Sequence, residues 1–310
     1  DGQGNEDYVR QLISGSRFKS HDEIFAIANR LGVAPSFIKL DSVLSTEQES
    51  VARIDEMIKR YSLGHEDSRA VLLFDIADFS LFRPFEQASQ LNSLSYSMNS
   101  AYSKLKQEGV EVSFARTTTG DGYYVWNRDL GKFPNVDLLT FFLLVLIDNA
   151  VARDKARSGI VPTLRSAFHI GSHYELSQAE GINPTIFSYI VGDVTIKLAR
   201  LIDYVPPNGI YIGDFGATLP HSDELVGPAD FLRYARDELL DMSGLRMGES
   251  LLTDIRFESW SVGQADARVV EVTDKHGLSQ TAHNLGFTVV LGSQELGLGL
   301  RNSGLGLRNR

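Results

Sequence analysis

The sequence contains no cysteine among its 310 residues. This absence excludes disulfide frameworks, thiolate metal sites and cysteine nucleophiles, so any bound metal must have oxygen or imidazole ligands. Hard cations held by carboxylates are therefore the default expectation.

The chain also lacks an excess of basic residues, since 30 Lys and Arg stand against 40 Asp and Glu for a formal charge of −10. Recognition of duplex nucleic acid depends on clustered Lys and Arg, and this composition does not favour it. A small polyanionic ligand remains compatible with an acidic chain if a metal supplies positive charge.

Long hydrophobic runs are missing as well. The longest, Phe141 to Ile147, is far short of the roughly 20 apolar residues that a membrane helix needs. No basic-then-apolar segment opens the sequence, and we expect a cytosolic protein. At about 150 residues per domain, the length allows two domains or one large domain with extensions.

Residues 1–69 show helical patterns and are predicted to form an N-terminal helical extension. An amphipathic helix is expected from Asp22 to Leu31, ended by Gly32. Its spacing to the segment after Pro35 resembles a helix-turn-helix, but helices joined at glycine are also common packing units. A DNA-binding regulator and a dimer-forming arm both remain open for this segment.

Residues 70–290 alternate between strand and helix patterns and are predicted to form the main domain. The expected elements are a strand at 70–75, a helix at 84–107, a hairpin of 110–117 with 123–126, a helix at 137–157, a strand at 163–171, a helix at 193–204 and a strand at 209–212. This order favours an α+β fold, a ferredoxin-like βαββαβ sheet with helices on one face. Four aromatic side chains on the two long helices are expected to face the sheet, namely Tyr96, Tyr102, Phe141 and Phe142.

The end of the chain repeats a short motif. Gly297-Leu-Gly-Leu-Arg-Asn302 recurs as Gly304-Leu-Gly-Leu-Arg-Asn309. A glycine-rich duplication has no core-forming pattern, so residues 291–310 are interpreted as a Gly/Leu-rich tail.

Two carboxylates fall where a sheet of this order would bring them together. Asp75 ends the first strand, and Asp121 lies at the tip of the hairpin that follows the first long helix. Converging carboxylates with an open side suit Mg²⁺ or Mn²⁺, which keep water and phosphate oxygens as further ligands. Aspartate is also common at strand ends and in Gly-Asp-Gly turns for structural reasons alone.

Four segments together resemble the consecutive motifs of class III nucleotidyl cyclases. They are Phe74-Asp-Ile-Ala-Asp-Phe-Ser80, Thr119-Gly-Asp-Gly-Tyr123, Leu164-Arg-Ser-Ala-Phe-His-Ile-Gly171 and Val191-Gly-Asp-Val-Thr-Ile-Lys-Leu-Ala-Arg200. They occur in the order and at the spacing of that family. The resemblance identifies residues 70–290 as the catalytic domain and implies cyclisation of a nucleoside triphosphate with release of pyrophosphate.

The same resemblance implies roles for individual residues. Asp75, Asp121 and the backbone carbonyl of Ile76 would hold two Mn²⁺ or Mg²⁺ ions per site. Arg200 would stabilise the transition state from the partner subunit of a homodimer, a role that suits a permanently charged guanidinium. The remaining substrate contacts implied by the resemblance are Phe79, Ser80 and, through a weak alignment, Lys275.

Two base-reading positions depart from the purine-cyclising pattern. Thr117 replaces the usual Glu or Lys three residues before the hairpin glycine, and Tyr189 replaces a small polar or acidic residue. A tyrosine would reduce the space for a base, which favours a pyrimidine; alternatively, Tyr189 packs at a subunit interface and does not read the base.

Two further departures concern activity itself. Ile196 stands where the family has a ribose-orienting asparagine, and Asp78 stands where a glycine lets backbone amides approach the triphosphate. Because the charged set of Asp75, Asp121 and Arg200 is retained, we expect an active enzyme.

The chain is most similar to the bacterial pyrimidine cyclases of antiphage defence. This resemblance implies synthesis of cyclic UMP, or next cyclic CMP, in response to phage, together with an effector protein that binds the product. The alternatives are an adenylyl cyclase with atypical base contacts and a catalytically silent nucleotide-binding regulator.

Overall fold

The computed structural model describes residues 20–32, 34–35, 63–110, 112–128, 133–156, 159–180, 185–220, 222–242, 244–258, 269–273 and 277–299. The chain divides into two compact units. The first comprises residues 1–67 and 172–192, and the second comprises residues 68–171 and 193–310.

The described N-terminal segment contains the predicted helix, α1 (His21–Leu31). Ser20 and Glu23 form a reciprocal capping box at its start, because each side chain accepts a hydrogen bond from the other residue's backbone amide. Gly32 ends the helix in the left-handed conformation at φ 65°. The second half of the helix-turn-helix pattern lies outside the described residues.

The first strand begins earlier than the sequence predicts, because β1 spans Leu63–Ile76. The other strands that build the main sheet are β2 (Phe114–Thr118), β3 (Gly122–Asn127), β4 (Leu164–Glu180), β5 (Thr185–Val191), β6 (Ile210–Gly213), β11 (Val269–Thr273) and β12 (Ser279–Asn284). The helices among them are α2 (Pro84–Gln107), α3 (Pro134–Lys155) and α4 (Asp193–Ile202).

The sheet order confirms the predicted topology. Strands run in the order β11-β12-β6-β4-β1-β3-β2, and β5 pairs with β4. The segment β4-β1-β3-β2, in which β3 is antiparallel to both β1 and β2, is the order of a ferredoxin-like βαββαβ unit. β6 adds to β4 in parallel.

The core of the second unit lies between this sheet and the two long helices. Phe74 of β1, Phe142 of α3 and Phe168 of β4 are fully buried. The rings of Phe74 and Phe142 stack with centroids 5.5 Å apart, and Phe168 packs against Phe142 in a tilted arrangement at 5.9 Å. Among the described helices, α3 alone is apolar and long enough to cross a membrane, but 67% of its apolar window is buried inside the protein. The apolar side chains of α3 therefore pack in the hydrophobic core.

Four further strands of the same unit form a small second sheet. Its strands, in spatial order, are β14 (Gln294–Leu298), β13 (Phe287–Leu291), β10 (Ser250–Phe257) and β9 (Arg246–Met247). A short pair, β7 (Ala217–Thr218) with β8 (Leu225–Val226), precedes helix α5 (Pro228–Asp241). The segment interpreted as a tail thus begins inside β13, and its first repeat supplies the end of β14, where Leu298 is buried.

Two other expectations differ from the structure. β4 continues past residue 171, where the predicted strand ends, and forms a hairpin with β5 in which Tyr174–Glu180 pairs with Thr185–Val191. Tyr96 does not face the sheet, since it is 73% exposed on α2. Phe141 and Phe142 are buried as expected, and Tyr102 is partly buried.

Candidate active site

Asp75 and Asp121 come together at one end of the β1–β3 pair. Asp75 lies opposite Gly122 in the antiparallel register, and Asp121 precedes Gly122 in the turn from β2. The backbone amide of Ile76 donates a hydrogen bond of 2.9 Å to the Asp121 carbonyl, which fixes the turn against the end of β1. The two carboxylates that the sequence predicts to converge therefore do so.

Glycine is required at position 122 by close backbone approach. A Cβ there would lie 1.9 Å from the Phe74 carbonyl oxygen, a distance that no side chain tolerates. Gly120 in the same turn has φ 103°, a region that L-residues rarely adopt. The Gly-Asp-Gly sequence thus allows the hairpin tip to press against β1 and carry Asp121 to Asp75.

Asp75 occupies an unusual electrostatic environment. Asp75 is only 7% exposed, and its carboxyl lies within hydrogen-bonding reach of the Asp121 carboxyl. Burial, together with the neighbouring Asp121 charge, raises the pKa of Asp75 to about 6, although Arg165 acts in the opposite direction. Thr119 donates its hydroxyl to Asp121 Oδ1 at 3.2 Å. A carboxylate pair held this closely is stabilised by a proton or a cation between its members.

Arg165 is the site residue that sequence reasoning missed as a functional side chain. Its Nε and one terminal nitrogen lie 2.7 and 2.5 Å from Asp75 Oδ2. The signal was present in the third motif, because an arginine between the buried residues Leu164 and Ser166 of a strand needs a polar or anionic partner. β4 is the neighbour of β1 in the sheet, so that partner is at the end of β1.

The donor set fits a divalent cation of the Mg²⁺ or Mn²⁺ type. Two carboxylates and a nearby backbone carbonyl, that of Ile76, are hard oxygen ligands that leave positions for water or phosphate. Within the described ranges, no group of three or more His, Asp or Glu side chains could hold a metal. Substrate oxygens would have to complete the coordination, and a cation would compete with Arg165 for Asp75.

The segment after β1 makes a tight turn at the site. Asp78 adopts the left-handed conformation, φ 58°, which glycine would favour at this position, and its side chain is exposed. Phe79 and Ser80 follow in a single turn of 3₁₀ helix (Phe79–Leu81), Phe79 half-buried and Ser80 exposed. Asp78 therefore keeps the backbone path of a glycine while adding a negative charge.

The two predicted base-reading residues lie in different units. Thr117 is half-buried on β2, opposite Tyr124 of β3, in the same unit as the carboxylates. Tyr189 belongs to the first unit, where it pairs with Leu176 across the β4–β5 hairpin and is 42% exposed. Lys275 lies outside the described residues.

Arg200 lies half-buried in the last turn of α4. The helix is attached to the site sheet by Tyr124 of β3, whose hydroxyl donates to the Thr195 carbonyl at 3.2 Å. Ile196, one turn before Arg200, is 51% exposed.

No protein-family model and no curated protein matches the chain. Among solved structures, similarity is found to the guanylyl cyclase Cya2, with 12% identity, 71% of this chain and 92% of that chain covered, and a TM-score of 0.38. The guanylate cyclase domain of RhGC from Catenaria anguillulae in complex with GTP shares 13% identity, with coverages of 71% and 97% and a TM-score of 0.40. The adenylyl cyclase CyaB from P. aeruginosa shares 12%, with coverages of 72% and 95% and a TM-score of 0.40. The structural neighbours are thus guanylyl and adenylyl cyclase catalytic domains, at scores too low to assign the chain to a family.

Proposed function

We propose that the protein is a nucleotidyl cyclase that converts a nucleoside triphosphate to its 3′,5′-cyclic monophosphate and pyrophosphate. The observation that carries this proposal is the meeting of Asp75 and Asp121 at the end of β1, beside Arg165, in a ferredoxin-like sheet. The first three of the motifs that resemble those of class III cyclases supply these three residues.

In the proposed reaction, the ribose 3′-oxygen forms a bond to the α-phosphorus as the bond from that phosphorus to the bridging oxygen breaks. The two electrons of the broken bond leave with pyrophosphate, and the hydroxyl proton is released. Two divalent cations held by Asp75, Asp121 and the Ile76 carbonyl would lower the pKa of the hydroxyl and neutralise the leaving phosphates. Arg165 stands beside the same carboxylates, where its guanidinium can meet phosphate charge.

The proposed assembly is a homodimer with two symmetric sites. Each chain contains one copy of each motif, and Arg200 of one subunit would face the carboxylates of the other. Phe79, Ser80, Thr117 and Lys275 are proposed substrate contacts.

We propose a pyrimidine triphosphate as the substrate, UTP before CTP. Thr117 has a short hydroxyl side chain at the position where purine-cyclising enzymes have a longer, charged Glu or Lys side chain. Tyr189 stands at a position where those enzymes have a small residue. Matching of hydrogen bonds to a base edge discriminates strongly, because a wrong edge leaves buried polar groups without partners. The resemblance to antiphage cyclases further leads us to propose Mn²⁺ as the metal, a cytosolic location, a role in antiviral defence and a separate effector that binds the product.

One observation favours a second candidate, a silent nucleotide-binding regulator. Arg165 already neutralises Asp75, and a cation must displace it to bind both carboxylates. If Arg165 kept this contact, the site could bind a nucleotide without turning it over.

Product analysis separates these candidates. The purified protein should be incubated with each of the four nucleoside triphosphates and Mn²⁺, and the products identified by mass spectrometry. We expect cyclic UMP as the main product and cyclic CMP as the next. Cyclic AMP alone would contradict the pyrimidine proposal and favour the adenylyl cyclase alternative, whereas the absence of any cyclic product would support the silent regulator.

A further inference from the structure

The backbone of Arg165 is held in the sheet from both sides. Next to it, β4 meets the end of β1, where the backbone amide of Ala77 donates to the Thr163 carbonyl at 2.9 Å. On the other side β4 pairs in parallel with β6, and the Ser166 amide donates to the Gly209 carbonyl at 3.1 Å. Strands hydrogen-bonded on both sides are among the last parts of a protein to open. Any change in the position of the Arg165 guanidinium therefore comes from its side chain.

The guanidinium of Arg165 contacts a single oxygen of Asp75. Its Nε and one terminal nitrogen lie 2.7 and 2.5 Å from Asp75 Oδ2, so the arginine does not hold the two carboxylate oxygens in a parallel fork. The Asp121 carboxyl lies within hydrogen-bonding reach of the same Asp75 carboxyl. A divalent cation held by both acids would stand beside this guanidinium, and the repulsion between the two positive charges opposes their simultaneous binding.

The two members of the ion pair differ in their access to solvent. The Asp75 side chain is 10% exposed, whereas the Arg165 side chain is 28% exposed. The carboxylate is thus enclosed by the protein, and the arginine has a side that is open to water. A long arginine side chain reorients by rotation about its own bonds, so Arg165 can leave Asp75 without displacement of β4.

We infer that Arg165 is a positioning residue that keeps the metal site closed while no nucleotide is bound. Its ion pair with Asp75 excludes a divalent cation from the two carboxylates, and Arg165 releases Asp75 when phosphate oxygens offer the guanidinium another anionic partner. The metal ion and the nucleotide therefore bind together, and the metal ion alone binds weakly. This inference rests on the proposed function, because it takes Asp75 and Asp121 as the metal site.

The inference predicts a gain of metal binding when the arginine is removed. Without Arg165, the enclosed Asp75 and its neighbour Asp121 lose their cationic partner, and an enclosed charge without a partner is unfavourable. A divalent cation then binds both acids without having to displace a guanidinium. A purely structural role of Arg165 predicts the opposite, since damage to the site weakens every ligand.

Metal binding can be measured in the absence of nucleotide and without turnover. The full-length protein should be titrated with Mn²⁺ at about pH 8, where carboxyl groups of the site are ionised, and free Mn²⁺ followed by electron paramagnetic resonance. We expect Arg165→Gln to bind Mn²⁺ about tenfold more tightly than the wild type. Arg165→Lys keeps the charge but offers one nitrogen in place of two, so its affinity should lie between these values. The Lys variant carries the test if the Gln variant does not fold.

Two further variants show where any added Mn²⁺ binds. Arg116→Gln makes the same change in net charge at an exposed arginine of β2, which contacts Asn99 and lies over the ring of Tyr123. It should leave the Mn²⁺ affinity at the wild-type value. The double variant Arg165→Gln with Asp121→Ala should lose the added affinity, because the second carboxylate is missing.

The inference is overturned if the Arg165 variants bind Mn²⁺ no more tightly than the wild type, if Arg116→Gln gives an equal gain, or if the double variant keeps the gain. These outcomes are separate from those of the proposed function. A protein that forms no cyclic product would contradict the proposed reaction, and the Mn²⁺ comparison would still decide this inference. An active cyclase with equal Mn²⁺ affinities in the wild type and the Arg165 variants would overturn this inference alone.

Discussion

Arg165 forms an ion pair with Asp75, the carboxylate that a metal cation would have to bind. Its guanidinium forms two close contacts with Asp75 Oδ2, while Asp121 approaches the same carboxyl. In the described structure the arginine therefore offsets part of the repulsion between the two acids, as a bound cation would. The ion pair with Arg165 therefore stabilises the nearly buried Asp75 beside the partly buried Asp121 at the end of β1.

His169 is a second titratable residue of β4 with an unusual setting. It is 4% exposed, neither ring nitrogen has a hydrogen-bond partner within the described residues, and a Cβ on Gly213 would lie 2.3 Å from its Nδ1. Burial, helped by the nearby Lys197, lowers the pKa of His169 to about 4, against the smaller opposing effects of Asp193 and Asp214. The imidazole is therefore a neutral packed group.

This histidine predicts a specific pH dependence of stability. Its pKa is depressed in the folded state, so the unfolded chain binds more protons between pH 6.5 and 4, and stability falls as the pH falls through that window. The loss should reach about 3 kcal/mol for this group, because one pKa unit corresponds to about 1.4 kcal/mol. Urea unfolding of the wild type and of His169→Gln across this range measures it. The gap between the two unfolding free energies should shrink as the pH falls, and parallel curves would contradict the assignment.

Among the helices and strands, those with a strong periodic pattern in the sequence were predicted well. The strand whose pairing partner lies in an unexpected extension of β4 was not. Helix α2 was expected at its observed bounds, since Pro84 starts it and a glycine follows its end. The β5 strand was missed, because its partner is the unexpected continuation of β4 and a strand's partner cannot be inferred from local pattern. Tyr96 was misplaced because the polar and apolar faces of α2 are weakly distinguished in sequence.

The sequence predicts the two carboxylates of the candidate site, but it does not predict the partner of Arg165. Asp75 at the end of a strand and Asp121 in a Gly-Asp-Gly turn are recognisable locally, and the predicted βαββαβ order places them at the same end of the sheet. The pairing of Arg165 with Asp75 depends on β4 lying beside β1, 90 residues away in the chain. Side-chain partners at that separation become visible only once the sheet order is known.

The close packing of the hairpin tip against β1 predicts that one methyl group added at Gly122 will destabilise the protein. Gly122→Ala would place a Cβ against the Phe74 carbonyl and force β3 away from the end of β1. We expect a loss of more than about 2 kcal/mol in unfolding free energy, together with separation of Asp121 from Asp75. Gly64→Ala, at a site where no atom lies within 4 Å of the added Cβ, is the matched control. Equal melting curves for the two variants would show that the tip does not pack as described.

At the scale of the whole molecule, the proposed dimer makes a complementation prediction. Asp121→Ala and Arg200→Ala should each be inactive, since each removes a required group from both sites. In a mixture of the two, half of the dimers would be hybrids with one intact site of two, so activity should return to about a quarter of the wild-type value. Continued inactivity of the mixture, with subunit exchange verified by mass spectrometry, would contradict a site shared between subunits.

The most direct measurement of the central claim is the turnover of UTP to cyclic UMP by Asp121→Ala in the presence of Mn²⁺. Asp223→Ala, which removes an exposed aspartate far from β1 in sequence, serves as the control. We predict that Asp121→Ala forms no cyclic product while it keeps the melting temperature and oligomeric state of the wild type, and that Asp223→Ala retains full turnover. Undiminished cyclic UMP formation by Asp121→Ala would show that the two carboxylates do not form the catalytic metal site.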